Sequence, residues 1–333
     1  MAEGSGAIAV SIVVPVYNEK DSLPELRRRL TTVVEGLDRS YEIVLVDDGS
    51  RDGTLALLLE WQAANPERIV VLEFVRNFGQ HVAVIAGMEA SRGARIVTLD
   101  ADLQNPPEEI PKLLDLAEQG YDLVRGVRRN RQDTLYRRAV SVLSNVTRAW
   151  VTGIRMEDHG CMMAVYDRAL AEVMVSSRET SPFIPTLAAA YAGRSAEIVV
   201  EHARRAEGKS KHNFLRLIRF NFDLLTSSTA APLHAVTIVG MLTSLGSLGL
   251  VLYLALRRLI VGSEAQGMFT LFGIAFFMIG MCLFATGIMG EYVARIYQEV
   301  RNRPLYVVRR VHRREATEPR SAEIRRLPVG RGE

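Results

Sequence analysis

The sequence predicts an α/β domain built on a mostly parallel sheet, followed by interfacial helices and two C-terminal transmembrane helices. Short β-branched runs alternate with helical patterns from residue 9 to about residue 130, which is typical of a parallel sheet covered on both faces. Two long segments near the C-terminus contain no Asp, Glu, Lys or Arg. The 333 residues leave room for one domain of about 200 to 250 residues and a smaller second part.

Five strands are predicted in the first part of the chain, with helices between them. The predicted strands are residues 10–16, 41–47, 69–74, 94–100 and 123–127, and the clearest helices are residues 22–37 and 79–91. Ligands of such sheets bind beyond the carboxyl ends of the strands. The residues that directly follow each strand are therefore the first candidates for a functional site.

Acidic and polar residues follow three of these strands. The first is followed by Tyr17, Asn18 and Glu19, and the second ends in the pair Asp47 and Asp48. Asp100 and Asp102 follow the fourth strand. Carboxylates gathered at one edge of a sheet repel each other unless a cation or a hydroxyl-rich ligand lies between them. The pattern therefore indicates a ligand.

The pair Asp100 and Asp102 is the candidate metal site. Carboxylates two residues apart on an extended chain point the same way, so both can face one divalent cation, Mg or Mn. Such a cation takes one or two protein carboxylates and completes its shell with a diphosphate and water. The alternative is that both aspartates cap a helix that begins near Pro107.

The two apolar segments, residues 235–256 and 268–289, each reach about 33 Å at roughly 1.5 Å per residue, enough to cross a bilayer. The alternative is a pair of buried core helices. Basic residues are denser before the first segment and after the second than in the connector, which holds Arg257 and Arg258. The positive-inside bias then predicts a multi-pass protein of the cytoplasmic membrane, with both termini and the site in the cytoplasm. No signal peptide is expected, and Cys161 and Cys282 suit a reducing compartment.

Three motifs resemble a known family. They are Val-Val-Pro-Val-Tyr-Asn-Glu at 13–19, Val-Asp-Asp-Gly-Ser at 46–50 and Leu-Asp-Ala-Asp-Leu-Gln at 99–104. They resemble glycosyltransferase family 2, whose GT-A fold is a Rossmann-like nucleotide-sugar domain. Together with the C-terminal segments, the chain up to about residue 308 looks like the polyprenyl-phosphate branch, similar to dolichol-phosphate mannose synthase.

Further stretches resemble the subgroup that transfers 4-deoxy-4-formamido-L-arabinose to undecaprenyl phosphate. These are residues 76–81, 104–109, 130–133, 158–162 and 183–185. His159 departs from the aromatic residue expected there, and residues 208–212 also differ from the pattern.

The resemblance implies a set of site residues. The nucleotide would contact Pro15, Tyr17, Glu19, Asp48 and Asp100, and the metal would be held by Asp100 and Asp102. The expected catalytic residues are Asp102, Asp158, Arg131 and Lys211. The acceptor or diphosphate would be bound by Arg128, Arg131, Arg137, Lys209, Lys211 and Gln104. The alternatives are nonspecific contact of the basic residues with anionic lipid headgroups, and a capping or surface role for Asp158.

The implied domains are a disordered N-terminus (1–8), the GT-A domain (9–212), an interfacial helix (213–232), two transmembrane helices (233–290), a juxtamembrane segment (291–308) and a basic disordered tail (309–333). The expected partners are a nucleotide diphosphate sugar, undecaprenyl phosphate and membrane lipids, with no nucleic acid. The resemblance also allows a homo-oligomer, by family a tetramer.

The implied activity is inverting, metal-dependent transfer of a sugar to undecaprenyl phosphate for lipid A or envelope glycan modification. The expected donor is UDP-4-deoxy-4-formamido-L-arabinose. Glucose, galacturonate or mannose transfer to the same acceptor remains an alternative. A phosphate acceptor is already anionic at neutral pH, so the reaction requires positioning and charge screening more than a general base.

Four other classes of protein are alternatives to this interpretation: a dinucleotide-binding enzyme, a phosphate-loop protein, a processive polysaccharide synthase and a protein without enzymatic activity. Residues 4–9 match the dinucleotide-binding fingerprint in letters, but they precede the first strand instead of following it. Gly-Lys-Ser at 208–210 lacks the upstream glycine of a phosphate loop, since position 203 is Ala203. Processive polysaccharide synthases usually carry Gln-x-x-Arg-Trp, and neither Trp61 nor Trp150 fits that pattern. The non-enzyme alternative is a catalytically inactive membrane scaffold on the same fold.

Overall fold

The structure, a computed structural model, describes residues 8–128, 161–177, 179, 182–201, 231–261, 268–301 and 303–314. Its centre is an eight-stranded sheet with the order β7-β5-β6-β4-β1-β2-β3-β8. The strands are β1 (Val10–Val16), β2 (Tyr41–Asp47), β3 (Ile69–Phe74), β4 (Arg95–Thr98), β5 (Leu123–Arg128), β6 (Ala164–Asp167), β7 (Ser195–Val200) and β8 (Val308–His312).

The first four strands form the parallel core of the sheet. β1 pairs in parallel with β2 on one side and with β4 on the other, and β2 pairs in parallel with β3. Every residue of β1 is buried, because helices cover both faces. This burial explains why β1 reads as a continuous apolar run instead of an alternating one.

Helices cover both faces of the sheet. The helices are α1 (Leu23–Glu35), α2 (Thr54–Ala64), α3 (Gln80–Ala90), a short 3-10 turn (Pro107–Glu109), α4 (Ile110–Ala117), α5 (Arg168–Ser176) and α6 (Ile184–Tyr191). Helices α1, α2 and α4 pack on one face, with Leu26, Leu30 and Trp61 fully buried. Helices α3, α5 and α6 pack on the other face. The predicted α/β sheet with two covered faces is confirmed.

Two long helices follow, α7 (Ala231–Val261) and α8 (Met268–Val300), and they contact each other. Within the described residues, one stretch is long and apolar enough to cross a membrane, Ile274–Ala294, with a mean hydropathy of 1.8 and 6% of it buried. Helix α7 contains the first predicted span, whose membrane crossing stays a prediction. Helix α8 extends past the predicted end at residue 289, through much of the predicted juxtamembrane segment.

The C-terminal boundary differs from the sequence-based expectation. Residues 309–312 were predicted to lie in a disordered tail, but they belong to β8, which pairs antiparallel with β3 at the edge of the sheet. The prediction was wrong because adjacent arginines, Arg309 and Arg310, are typical of a solvent-exposed tail. The partner strand β3 also lies far away in the sequence. β4 is also shorter than the predicted 94–100, because its pairing with β1 ends at Thr98.

Helix α3 lies unusually close to the sheet at Gly87. A Cβ atom there would lie 3.2 Å from Cγ2 of Val46 and closer still to Cγ1 of Val13. Both valines are fully buried and have stiff β-branched side chains, so they cannot turn away. Glycine at position 87 therefore allows helix α3 to pack closely on strands β1 and β2.

We expect Gly87→Ala to lower the free energy of unfolding by about 1–3 kcal/mol, because it overpacks this contact. Gly36→Ala is the matched control, since its Cβ would meet only the carbonyls of Thr32 and Val33 at 3.5 Å. Unfolding of both variants in detergent, followed by circular dichroism, measures the difference. Equal stability of the two variants would contradict the close packing.

Candidate active site

A cavity of about 450 Å³ opens at the carboxyl ends of the four parallel strands. Its lining comes from the loops after β1, β2, β3 and β4, which lie together because these strands are parallel neighbours. The lining residues are Pro15, Val16, Tyr17, Glu19, Asp48, Asn77, Gly79, Gln80, Asp100, Ala101 and Asp102. The volume is within the usual range for small-molecule sites.

The loop after β1 presents an exposed aromatic ring. Tyr17 is 45% exposed, although it directly follows a strand that is wholly buried. The next residue, Asn18, has a left-handed backbone, with φ of 53°. Its amide donates to Ser50 Oγ at 3.0 Å, and its Oδ1 accepts from the Arg51 amide at 2.8 Å. These bonds hold the loop in this conformation, so the Tyr17 ring is available for stacking on a flat ligand.

Asp48 accepts three hydrogen bonds at the cavity. Its Oδ1 accepts from the Phe78 amide at 2.6 Å, and its Oδ2 accepts from the Gly79 amide and Asn77 Nδ2, each at 2.9 Å. All three donors belong to the loop after β3. The loops after β2 and β3 are therefore joined through one side chain.

Burial raises the pKa of Asp48 above the ordinary aspartate value, and hydrogen bonds from the Phe78 and Gly79 amides oppose that rise. Burial likewise raises the pKa of Asp47, against its hydrogen bonds with Ser50. Asp47 is buried and does not line the cavity. Of the predicted aspartate pair, Asp48 therefore lines the cavity, and Asp47 accepts a hydrogen bond from the Ser50 amide within the turn that follows it.

Asp100 and Asp102 both line the cavity, as the sequence analysis expected. Gln80 Nε2 donates to Oδ1 of Asp100, and Asn105 Nδ2 lies 3.3 Å from its Oδ2. Asp102 Oδ1 accepts from the Gln104 amide at 3.1 Å. Within the described residues no cluster of three or more His, Cys, Asp or Glu side chains is assembled for a metal. A cation here would have two carboxylates from the described part of the chain, which fits ions that keep water and phosphate ligands.

The predicted nucleotide-binding residues meet in this one cavity, namely Pro15, Tyr17, Glu19, Asp48 and Asp100. Gln104 lies beside it and contributes its backbone amide to Asp102. Arg128 is the last residue of β5, and its side chain is outside the described part of the structure. Arg131, Arg137, Asp158, Lys209 and Lys211 also lie outside the described residues, so their roles stay predictions.

No site role was predicted from the sequence for the loop after β3. This loop supplies Asn77, Gly79 and Gln80 to the cavity, and Gln80 begins α3. The available signal was its position at the end of a parallel strand. Next to it, burial lowers the pKa of His81 to about 4, so this side chain is neutral at pH 7 and packs edge-on against Phe183, 4.9 Å between ring centroids.

The model of glycosyl transferase family 2 matches residues 11–174, which include all of these cavity loops. The chain is 44% identical over 316 residues to a protein of Aeromonas hydrophila subsp. hydrophila, covering 94% of this chain and 97% of the relative. The chain therefore belongs to glycosyl transferase family 2, and it is a glycosyltransferase with a GT-A-like α/β fold.

The Aeromonas relative is undecaprenyl-phosphate 4-deoxy-4-formamido-L-arabinose transferase. Among solved structures, the chain is similar to glucosyl-3-phosphoglycerate synthase from Mycobacterium tuberculosis. The complex of that enzyme with Mn²⁺, UDP and glucosyl-3-phosphoglycerate is 17% identical, with a TM-score of 0.46, covering 66% of this chain and 78% of that one. Its complex with Mn²⁺ and UDP-glucose is 18% identical, with a TM-score of 0.46, covering 66% and 77%.

Gly49 allows the loops after β2 and β3 to approach each other. Its φ is +73°, and a Cβ atom would lie 2.6 Å from the Arg76 carbonyl carbon and 2.8 Å from the Asn77 nitrogen. Both contacts are with backbone, which cannot rotate away as a side chain can. An alanine here would push apart the two loops that Asp48 joins.

We expect Gly49→Ala to weaken ligand binding in this cavity about tenfold or more, with uridine diphosphate as the probe, because misplacing a positioned group by a fraction of an ångström is costly. Gly53→Ala is the control, since it has a similar positive φ of +95° but only a 3.9 Å contact with Lys20 Cδ. Isothermal titration in detergent measures both affinities. If the two variants bind alike, the close approach at Gly49 does not control the site.

Proposed function

We propose that this glycosyltransferase transfers a sugar from a UDP-linked donor to undecaprenyl phosphate at the cytoplasmic face of the membrane, with inversion at the anomeric carbon. The observation that carries the proposal is the single cavity that contains both an exposed Tyr17 beside Asp48 and the pair Asp100 and Asp102. One end suits a flat base, and the other suits a diphosphate.

The base end of the cavity combines stacking with hydrogen bonding. A uracil ring offers a flat face to Tyr17 and an imide N–H to a carboxylate acceptor. Asp48 is held by three donors, so it presents an ordered carboxylate instead of one that must be oriented on binding. Pro15 and Glu19 also line the cavity.

The diphosphate end requires positive charge that the described lining does not supply. Glu19, Asp48, Asp100 and Asp102 are carboxylates, and the described part of the lining includes no lysine or arginine. A diphosphate would be repelled by such a surface unless a cation accompanied it. Asp100 and Asp102 would hold Mg²⁺ or Mn²⁺, which supplies charge stabilisation of the departing nucleoside diphosphate.

Asp102 is the better placed of the two for direct contact with a cation. Gln104 is its hydrogen-bond donor within the described residues and bonds only Oδ1, so Oδ2 can serve as a ligand. Asp100 is bonded through both oxygens, to Gln80 and Asn105. These two amides orient the Asp100 carboxylate, which could then contact the cation directly or through a water molecule.

The acceptor is proposed from the chemistry of the reaction and from the extent of the similarity. The Aeromonas relative is aligned over 94% of this chain, so the similarity includes the long C-terminal helices as well as the catalytic domain. A phosphate oxygen is anionic at pH 7 and can attack without a general base. Attack opposite the leaving diphosphate inverts the anomeric centre. Arg131, Lys209 and Lys211 are proposed to bind the acceptor phosphate.

The donor sugar is proposed to be 4-deoxy-4-formamido-L-arabinose, on the 44% identity with the Aeromonas transferase. The product would then serve lipid A or envelope glycan modification. Glucose, galacturonate and mannose remain the candidates to test against it.

Transfer of radiolabelled sugar to undecaprenyl phosphate, run over a panel of UDP- and GDP-linked sugars, tests donor and acceptor together. We expect lipid-linked product from the UDP donor and no activity in chelator, with recovery on adding Mg²⁺ or Mn²⁺. Asp102→Asn should reduce the rate by about a hundredfold or more, as loss of a key electrostatic contact does. Full activity of this variant in chelator would exclude the metal role, and labelling from GDP sugars alone would exclude uridine recognition.

Membrane topology is tested separately, with reporter fusions after Glu333 and between Arg258 and Gly267. Two membrane crossings by α7 and α8 predict a cytoplasmic reporter at the first site and a periplasmic one at the second. A fusion before Val10 is the internal control and should report the cytoplasm. The same side at both test sites would mean that only one of the two helices crosses, or neither.

A further inference from the structure

The chain returns to the catalytic domain after its last long helix. Residues 303–314, called the return segment below, run from just beyond α8 to the sheet edge, where β8 pairs with β3. Leu305, Tyr306 and Val308 pack on the same apolar cluster as Phe74 and Phe78. The helix that contains the membrane-span candidate is thus tied directly to the strand whose loop enters the cavity.

An aromatic row connects the return segment with the cavity. The Tyr306 ring stacks on Phe74, with centroids 5.2 Å apart and planes inclined by 15°. Phe74 in turn meets Phe78 edge to face, with centroids 5.6 Å apart. The Phe78 amide donates to Asp48 Oδ1 at 2.6 Å. Two ring contacts therefore separate Tyr306 from the loop that orients the Asp48 carboxylate.

Hydrogen bonds reinforce this connection at the start of the same loop. The Val75 amide donates to the Val307 carbonyl at 3.1 Å, and Arg309 Nη1 lies 2.9 Å from Glu73 Oε1. The Tyr306 hydroxyl donates to Glu89 near the end of α3. The return segment thus contacts the strand before the cavity loop and the helix after it, so it borders the loop on both sides.

We propose that Tyr306 is a positioning residue for the donor nucleotide: by stacking on Phe74, it sets the loop 75–79 that holds Asp48. The proposal rests on the proposed function, in which Asp48 binds the base. It assigns the return segment a role in the reaction beyond closing the sheet edge. The segment joins the end of α8 to the donor cavity, so the donor site is complete only when the chain beyond that helix has docked.

The test is UDP binding by full-length Tyr306→Ala in detergent. An aromatic pair contributes roughly 0.5–1.5 kcal/mol beyond burial, so affinity should fall about two- to tenfold. Tyr306→Phe keeps the stacked ring and loses only the bond to Glu89, so it should bind within about twofold of the parent. The half-saturating concentration of undecaprenyl phosphate should not change, because the row leads to the donor end of the cavity.

Val311→Ala is the matched control, since Val311 lies in the same return segment but is 51% exposed and pairs with Leu72, which is not part of the aromatic row. If Tyr306→Ala lowers thermal stability and still binds UDP like the parent, Tyr306 only stabilises the sheet edge and the proposal is wrong. Should Tyr306→Ala fail to fold, Tyr306→Leu keeps apolar volume without the stacked ring. Parent-like affinity of that variant would equally overturn the proposal.

Asp48→Asn separates this inference from the proposed function. Unchanged UDP affinity of Asp48→Asn would show that Asp48 does not bind the base, which would remove the premise itself. Weakened binding by Asp48→Asn together with parent-like binding by the Tyr306 variants would retain the base contact and reject the positioning role. Weakened binding by both Asp48→Asn and Tyr306→Ala, with rescue by Tyr306→Phe, supports both.

Discussion

Parallel pairing of β1 with both β2 and β4 is the constraint on which the rest of the structure depends. Val16 pairs with Asp47 of β2, and Val13 pairs with Thr98 of β4. The carboxyl ends of the three strands therefore lie on the same side of the domain. β3 adds its own loop through parallel pairing with β2. Four chain segments far apart in sequence therefore meet around one cavity, and no single segment contains the site.

This arrangement brings several carboxylates together at the cavity, and they differ in the hydrogen-bond donors that stabilise them. Asp48 is stabilised by three donors from the loop after β3, and Asp100 is bonded by two side-chain amides. Burial nevertheless raises the pKa of Asp48, because hydrogen bonds from neutral amides only partly replace water around a charge. A divalent cation would relieve the remaining excess of negative charge and would in turn attract the diphosphate of the proposed donor. The repulsion among these carboxylates would therefore favour binding of the cation.

A second polar network lies at the opposite, amino-terminal end of the strands and has a purely structural role. The buried Glu42 accepts from Ser11 Oγ at 2.7 Å, and Ser11 Oγ accepts in turn from the Gly93 amide at 2.7 Å. Arg92 pairs with the same carboxylate at 3.1 Å. A buried carboxylate that is paired and bonded in this way holds β1, β2 and the turn before β4 together. At the amino-terminal end of the strands, the Glu42 carboxylate is bonded by groups of the protein itself. At the carboxyl end, the acidic residues line a cavity that is open to a ligand.

The sequence by itself determined the strands of the parallel core and most of the described site. The bounds of β1, β2 and β3 follow from apolar runs that end at polar residues. Tyr17, Asp48, Asp100 and Asp102 could be found because each lies within a few residues of the carboxyl end of a strand. The family resemblance selected Asp48, and only the tertiary structure shows why Asp48 lines the cavity while Asp47 does not, since that depends on the turn at Gly49 and the loop from β3. It alone revealed β8, because a short edge strand rich in arginine resembles a charged tail until its partner is known. The contacts of Asn77, Gly79 and Tyr306 were not assigned from the sequence, because contacts between distant segments leave no local period in the chain.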